Sequence, residues 1–366
     1  MAHDAGSPTE RDPSLIGWLN EAIARGASDL HLVDSHPPVI RLHGQLESLA
    51  APPLNRTALA ASLRSLCSPV EWDHFQSQKN IDFACEHASP GVRRRLRVNL
   101  FLTGPSVGAC IRIIPDQIPD FAWAGFPRDL AVRMAHFRNG LVLFAGVAGA
   151  GKSTSLAMLT QLLNEEGGHR IITIEDPVEY VFPRIERSVI SQREVGRDVR
   201  TFADGLKFGL RQDPDVFLVG EIRDRDTAQL ALSAAETGHL VFSTVHARDA
   251  KGAVSRFCDL FPQPSQFEVR AQLALALRAV VCQHLLPGIL AGDKRELALE
   301  VLFVTSGVAS AIRLGKIEAI DTSITTGRAE GMISLAESIK RLLVEGRIYP
   351  ETAEHFAGDA IVGRRR

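Results

Sequence analysis

One stretch of eight residues constrains this chain more than any other. Gly146-Val147-Ala148-Gly149-Ala150-Gly151-Lys152-Ser153 fits the spacing G-x-x-x-x-G-K-S/T, and it directly follows the apolar run Leu141-Val142-Leu143-Phe144-Ala145. Glycines at these places let successive backbone N–H groups turn inward around an anion with no Cβ in the way. A helix opening at Lys152 points its partial positive charge at the same place. The pattern therefore predicts a buried strand, a phosphate-cradling loop and a helix, in that order. Gly146, Gly149, Ala150, Gly151, Lys152, Ser153 and Thr154 are the candidate nucleotide-binding residues, with ATP and Mg²⁺ the implied cofactors. Lys152 reaches the β- and γ-phosphates, and the Ser153 hydroxyl is a candidate Mg²⁺ ligand.

The surroundings repeat the pattern. Ile171–Ile174, Val216–Val219 and Leu240–Thr244 are further apolar runs of the kind a strand buried on both faces shows. Helical spacing at Ser153–Leu163 and Asp226–Glu236 separates them, which predicts a mainly parallel sheet covered by helices. From Pro264 onward the chain reads mostly helical, with one strand near 297–304. The first hundred residues read differently. A helix at Ser14–Arg25, strands at Leu30–Val33 and Val39–Leu42, a helix at Thr57–Leu66, and a hairpin from Val92–Phe101 and Gly108–Ile114 make a small α+β domain. The expected division is a first domain at 14–114, a proline-containing linker at 115–127 and an ATPase-type domain at 128–350.

Charge and cysteine usage narrow the function classes. Lys and Arg total 41 against 43 Asp and Glu, a net charge of −2. No positive field draws this chain to nucleic acid, and no nucleic-acid partner is expected. The clusters Arg93–Arg95 and Arg364–Arg366 are too short to change that, and the second reads as a solvated tail. The five cysteines form no C-x-x-C pair, so neither zinc nor a disulfide framework is expected, and the compartment is read as reducing. The polar stretch 1–13, with a disordered lead-in from Pro8, carries no apolar secretory core, and no apolar run is long enough to span a bilayer.

Hydrolysis requires a carboxylate near the attacking water and another in the metal shell. Two acidic stretches stand directly after predicted strands, where ligands gather in open α/β sheets: Glu175-Asp176-Pro177-Val178-Glu179 and Gly220-Glu221-Ile222-Arg223-Asp224. Either one alone also suits a solvated loop or a helix cap. The residues leave open whether Glu175, Glu179 or Glu221 takes the proton. His239 and His246 flank the strand Leu240–Thr244; each reads equally well as a γ-phosphate sensor or as a structural hydrogen-bonder.

Four blocks taken together resemble the type II/type IV secretion and pilus motor ATPases, and among them the twitching-motility retraction branch. They are the loop at Gly146–Thr154, the Glu175–Glu179 stretch, Arg211-Gln212-Asp213-Pro214-Asp215 running on to Gly220–Asp224, and Ala235–His239 running on to Thr244–His246. Ala27–Leu32, Arg97-Val98-Asn99 and Arg112–Pro115 also match. The resemblance implies a PAS-like α+β domain joined to a RecA-like P-loop ATPase domain, a ring of six identical subunits, and nucleotide between the two domains of a subunit. It implies Glu175 as catalytic base, Glu221 as the acid beside Mg²⁺, His239 and His246 at the nucleotide, and Arg97 and Arg112 as arginines presented to the phosphates. The implied setting is the cytoplasm, peripheral to the inner membrane, with a platform protein of a pilus or secretion machine as partner. The chain lacks the four-cysteine zinc module of the extension and secretion branches. At 307–316 it keeps only Arg313 and the apolar positions of the retraction branch's C-terminal helix motif. Two other classes remain in view: a nucleotide-binding regulatory subunit with little turnover, and a RecA-like nucleic-acid motor.

Overall fold

The computed structural model describes residues 12–42, 45–115, 117–289 and 295–357. Of the lead-in expected at 8–13, residues 8–11 lie outside them, as does the Arg364–Arg366 tail, whereas Asp12 and Pro13 are the cap and first residue of a helix. The chain folds as two compact units that divide between residues 117 and 118.

The first unit runs α1 (Pro13–Ala24), β1 (Asp29–Leu32), β2 (Val39–Leu42), β3 (Gln45–Ser48), α2 (Arg56–Arg64), α3 (Pro69–Gln78), β4 (Asn80–Ser89), β5 (Val92–Thr103) and β6 (Ser106–Ile113). Asp12 starts α1 by accepting the N–H groups of Ser14 and Leu15, and Pro13 suits the first turn. The strands form one antiparallel sheet in the order β3-β2-β1-β6-β5-β4. Side chains alternate across a strand. Leu30, Ile40, Ile111 and Val98 therefore share one face and are sealed under Leu15, Leu19, Leu63 and Phe75. The opposite face carries a polar row across the register: Arg41, Asp29, Arg112 and Arg97.

The second unit runs α4 (Phe121–Ala124), α5 (Arg128–Ala135), β7 (Gly140–Ala145), α6 (Lys152–Glu166), β8 (Arg170–Glu175), β9 (Val189–Glu194), α7 (Phe202–Gly209), β10 (Val216–Val219), α8 (Arg225–Glu236), β11 (Leu240–Val245), α9 (Ala250–Asp259), α10 (Gln266–Ala276), β12 (Leu277–Pro287), β13 (Arg295–Phe303), α11 (Ser306–Arg313), α12 (Ala319–Thr326), α13 (Leu335–Val344) and α14 (Pro350–Ala357). Its sheet is ordered β13-β12-β7-β11-β10-β8-β9, parallel throughout except for β13. Every residue of β7, β10 and β11 is buried, as their continuous apolar runs require.

Two expectations change here. The region after Pro264 is mostly helical, as its spacing suggests, but it holds two strands rather than one: β12 follows α10 with no intervening turn and lies beside β7. Leu277, Arg278 and Ala279 continue the helical preference of α10, but Val280 and Val281 favour a strand, and pairing with β7 and β13 sets the outcome. The 115–127 stretch is not one uniform connector. From Ile118 on it belongs to the second unit, where Ile118, Phe121 and Ala124 pack against the core and Phe126 is buried. Its aromatics have a core to fill, which proline content alone does not reveal.

Candidate functional site

All the parallel strands of the second unit end at one edge, and the loops leaving that edge carry the site. The loop after β7 begins at Gly146, with φ near +148°. A Cβ there would stand 2.7 Å from the carbonyl oxygen of Gln283 on β12, so the close approach of these two strands requires glycine. Gly151 has φ of 86° and caps α6, a left-handed conformation that side chains resist. Lys152 Nζ lies 2.7 Å from the Gly146 carbonyl oxygen and 3.0 Å from that of Val147, folded back over its own loop. Burial pushes the Lys152 amine below its ordinary value, while Glu221 and Glu179 pull it back up. Ser153 is exposed at the start of α6. Below the loop, Gln283 donates to Ser155 Oγ at 2.8 Å and pins α6 to β12.

The two acidic stretches come to this same edge. Glu175 ends β8, and its Oε1 accepts from Thr173 Oγ1 at 2.6 Å and from Gln192 Nε2 at 3.2 Å. Burial pushes its carboxyl up to about 7, against those two hydrogen bonds and the Glu179 backbone. Glu221 follows β10. Thr244 Oγ1 donates to the Gly220 carbonyl at 2.8 Å, and the Ile222 N–H donates to the Thr244 carbonyl at 3.0 Å. These bonds lash the Glu221 turn to the end of β11. Glu221 is thereby held between Arg223 Nε at 2.7 Å and His246 Nε2 at 3.2 Å.

His239 does not join them. It precedes β11, whereas Glu175 is the last residue of β8 and Lys152, Glu221 and His246 follow the C-terminal ends of β7, β10 and β11. The strand between the two histidines is six residues long, about 20 Å at roughly 3.3 Å per residue. His239 Nδ1–H instead donates to the Ala234 carbonyl at 2.9 Å, closing the end of α8, and its ring packs beside Phe217. His239 therefore stands at the opposite edge of the sheet from Glu221 and His246: flanking one strand places the two histidines on opposite edges.

Arg97 and Arg112 stand in register across β5 and β6 in the first unit. Arg112 Nε lies 3.0 Å from Asp29 Oδ1 and Arg97 Nε 3.7 Å from Asp82 Oδ1. Sequence reasoning did not single out Thr173, Gln192, Tyr180 or Arg223. The available signal for Thr173 was its place two residues before Glu175, on the same strand face. Among the described residues, no group of three His, Cys, Asp or Glu side chains is arranged to hold a metal by itself.

The family described as type II/IV secretion system protein matches residues 10–309. The type IV pilus retraction ATPase PilT of Pseudomonas aeruginosa is 38% identical over 333 residues, covering 91% of this chain and 95% of that one. The type IV pilus ATPase PilU of the same organism is 32% identical over 342 residues, 93% of this chain and 88% of its own. The crystal structure of the pilus retraction motor PilT with bound ADP superposes with a TM-score of 0.84 at 36% identity, covering 96% of this chain and 99% of that one. By the span of the match and the identity to relatives of nearly the same length, this chain belongs to the type II/IV secretion system protein family.

Proposed function

We propose that this chain is an ATP-hydrolysing motor subunit that powers type IV pilus retraction, or a closely related secretion-type machine. One observation carries the reading: Lys152, Glu175, Glu221 and His246 all leave the same edge of one parallel sheet, around a loop built for phosphate. Similarity to PilT, a retraction ATPase, supports the direction of work.

In this reading the first unit is PAS-like (14–114) and the second a RecA-like ATPase domain (128–350). Gly146, Gly149, Ala150 and Gly151 present backbone N–H groups to the phosphates of ATP, with Lys152 as the cation and Thr154 next on α6. Ser153 and Glu221 would hold Mg²⁺. A Mg²⁺ ion shared with phosphates needs only one or two protein ligands, which fits described residues among which no three His, Cys, Asp or Glu side chains could hold an ion by themselves. When bound, the ion neutralises charge on the transferring phosphoryl group. Glu175 takes the proton of the attacking water, and the products are ADP and phosphate. A carboxyl whose value lies near 7 is poised for that transfer at neutral pH. Arg97 and Arg112 are the proposed phosphoryl-stabilising arginines.

The working assembly is a homohexamer that acts in the cytoplasm against an inner-membrane platform protein. No described helix is long and apolar enough to cross a membrane. The test is the rate of Mg-ATP hydrolysis per subunit as a function of protein concentration. A rate that climbs to a plateau, and is lost in Glu221→Gln, is expected of a ring. Negligible hydrolysis at every concentration, with ATP still bound, would overturn it in favour of a regulatory subunit.

A further inference from the structure

Glu175 is gripped by more than its own strand. β8 and β9 run parallel with Thr173 opposite Gln192, so Thr173, Glu175 and Gln192 project from one face of the sheet. The Gln192 amide makes three hydrogen bonds there. Its Nε2 donates to Glu175 Oε1 at 3.2 Å and to the Tyr180 carbonyl at 2.7 Å, and its Oε1 accepts the Phe182 N–H at 3.0 Å. The two acceptors on one side and the donor on the other fix which way the amide points. The loop leaving β8 is thus folded back onto β9, with a second tie from the Val178 N–H to Glu194 Oε2 at 3.1 Å. The same loop reaches the phosphate-loop helix, because the Tyr180 hydroxyl lies 3.0 Å from Thr154 Oγ1.

We infer that Gln192 is a positioning residue for hydrolysis: one side-chain amide fixes both the Glu175 carboxylate and the Tyr180–Phe182 backbone, and so sets the base against the phosphate loop. This rests on the reading of Glu175 as the base. Thr173 is its partner on β8 and donates to the same oxygen. The charged groups that face Glu175 are Glu179 on its own loop and Glu194 opposite it on β9; Glu179 in turn acts, with Glu221, on Lys152 of α6. Glu179 holds the carboxyl up along with burial, whereas the Gln192 donor draws it down. Loss of that donor therefore moves the carboxyl further up and lets it swing away from the phosphates.

The experiment is steady-state Mg-ATP hydrolysis by the full chain from pH 5.5 to 9.5, for wild type, Gln192→Glu and Gln192→Met. Gln192→Glu keeps an acceptor for the Phe182 N–H but loses the donor; Gln192→Met keeps the volume and loses both. In each, kcat at neutral pH is expected to fall about tenfold or more. KM for Mg-ATP should stay within about threefold, and the acid limb of kcat should move alkaline by about one pH unit. An acid limb left in place, a KM that rises with the loss of kcat, or failure of both variants to fold would each make Gln192 merely structural and overturn the inference. Glu175→Gln separates the two levels. If it still hydrolyses ATP, the assignment of the base is wrong. If it is inactive while the Gln192 variants keep the wild-type limb, only the positioning role is wrong.

Discussion

His246 and His239 bracket a single strand, yet their surroundings have nothing in common. His246 follows β11 and meets a carboxylate that Arg223 also holds. His239 precedes β11 and spends its Nδ1–H on the last turn of a helix. The difference belongs to the two edges of the sheet. At the edge where parallel strands end, the chain leaves in loops, and the next helices begin with their N–H groups facing those loops. At the other edge helices finish, and their carbonyls need donors. One edge accumulates groups that can act on an anion, and the other accumulates groups that close helices.

The sharpest break of this comparison is Lys152→Ala. Lys152 folds over the phosphate loop itself, so hydrolysis is expected to fall on the order of 10²- to 10³-fold, with loss of nucleotide binding. Turnover at the wild-type rate would mean that this edge is not the nucleotide site. Glu221→Gln comes next, with a rate loss of about 10²-fold. Retained binding of a fluorescent ATP analogue distinguishes it from Lys152→Ala, because the phosphate cradle stays intact. If Glu221→Gln bound no nucleotide, its contacts with Arg223 and His246 would be holding the site together rather than serving the metal.

Glu175 gives a stability test of the same edge. Its carboxyl ordinarily titrates at 4.5 and is raised to about 7 in the folded chain. The native state therefore holds this proton more tightly than the unfolded one. Stability falls as pH rises from about 4.5, and the cost is complete above about 7. Glu175→Gln removes the ionisation. It should raise the melting temperature by a few degrees at pH 8, with the gain vanishing toward pH 4.5. A gain that did not depend on pH would mean the carboxyl is not held up by burial.

How far the sequence reveals this architecture depends on the kind of signal. The phosphate loop is legible because its function needs particular residue types at fixed offsets, and Gly146 cannot be anything larger against Gln283. The buried parallel strands are legible as unbroken apolar runs. β12 is not: Leu277 to Pro287 continues α10 with no glycine or proline between them, and its short Val280-Val281 signal counts only because β7 and β13 lie on either side. Gln192 is equally hidden. Nothing local marks it, since its role arises from register with Thr173 across a parallel pair seventeen residues and a loop away from Glu175. His239 shows the opposite case. Its place in a recognisable block suggested the nucleotide, although strand length alone puts it at the far edge of its own unit.

The smallest expected effect therefore falls on His239, and it divides the two edges most cleanly. His239→Ala removes the partner of the Ala234 carbonyl and a ring packed beside Phe217. Thr237 Oγ1 also donates to Ala234, at 3.2 Å, so the carbonyl keeps a second donor and the cost should be about 1 kcal/mol. Hydrolysis per folded subunit should stay within about twofold. His246→Ala should do the reverse: it leaves the half-exposed end of β11 stable and slows turnover about tenfold, because Glu221 loses one of the two groups that fix it. Thermal melts and ATPase rates on the two variants in parallel decide the matter. If His239→Ala lost turnover without losing stability, the far edge of the sheet would have to face a nucleotide that its own unit does not hold, and a neighbouring subunit of the proposed ring would be the source.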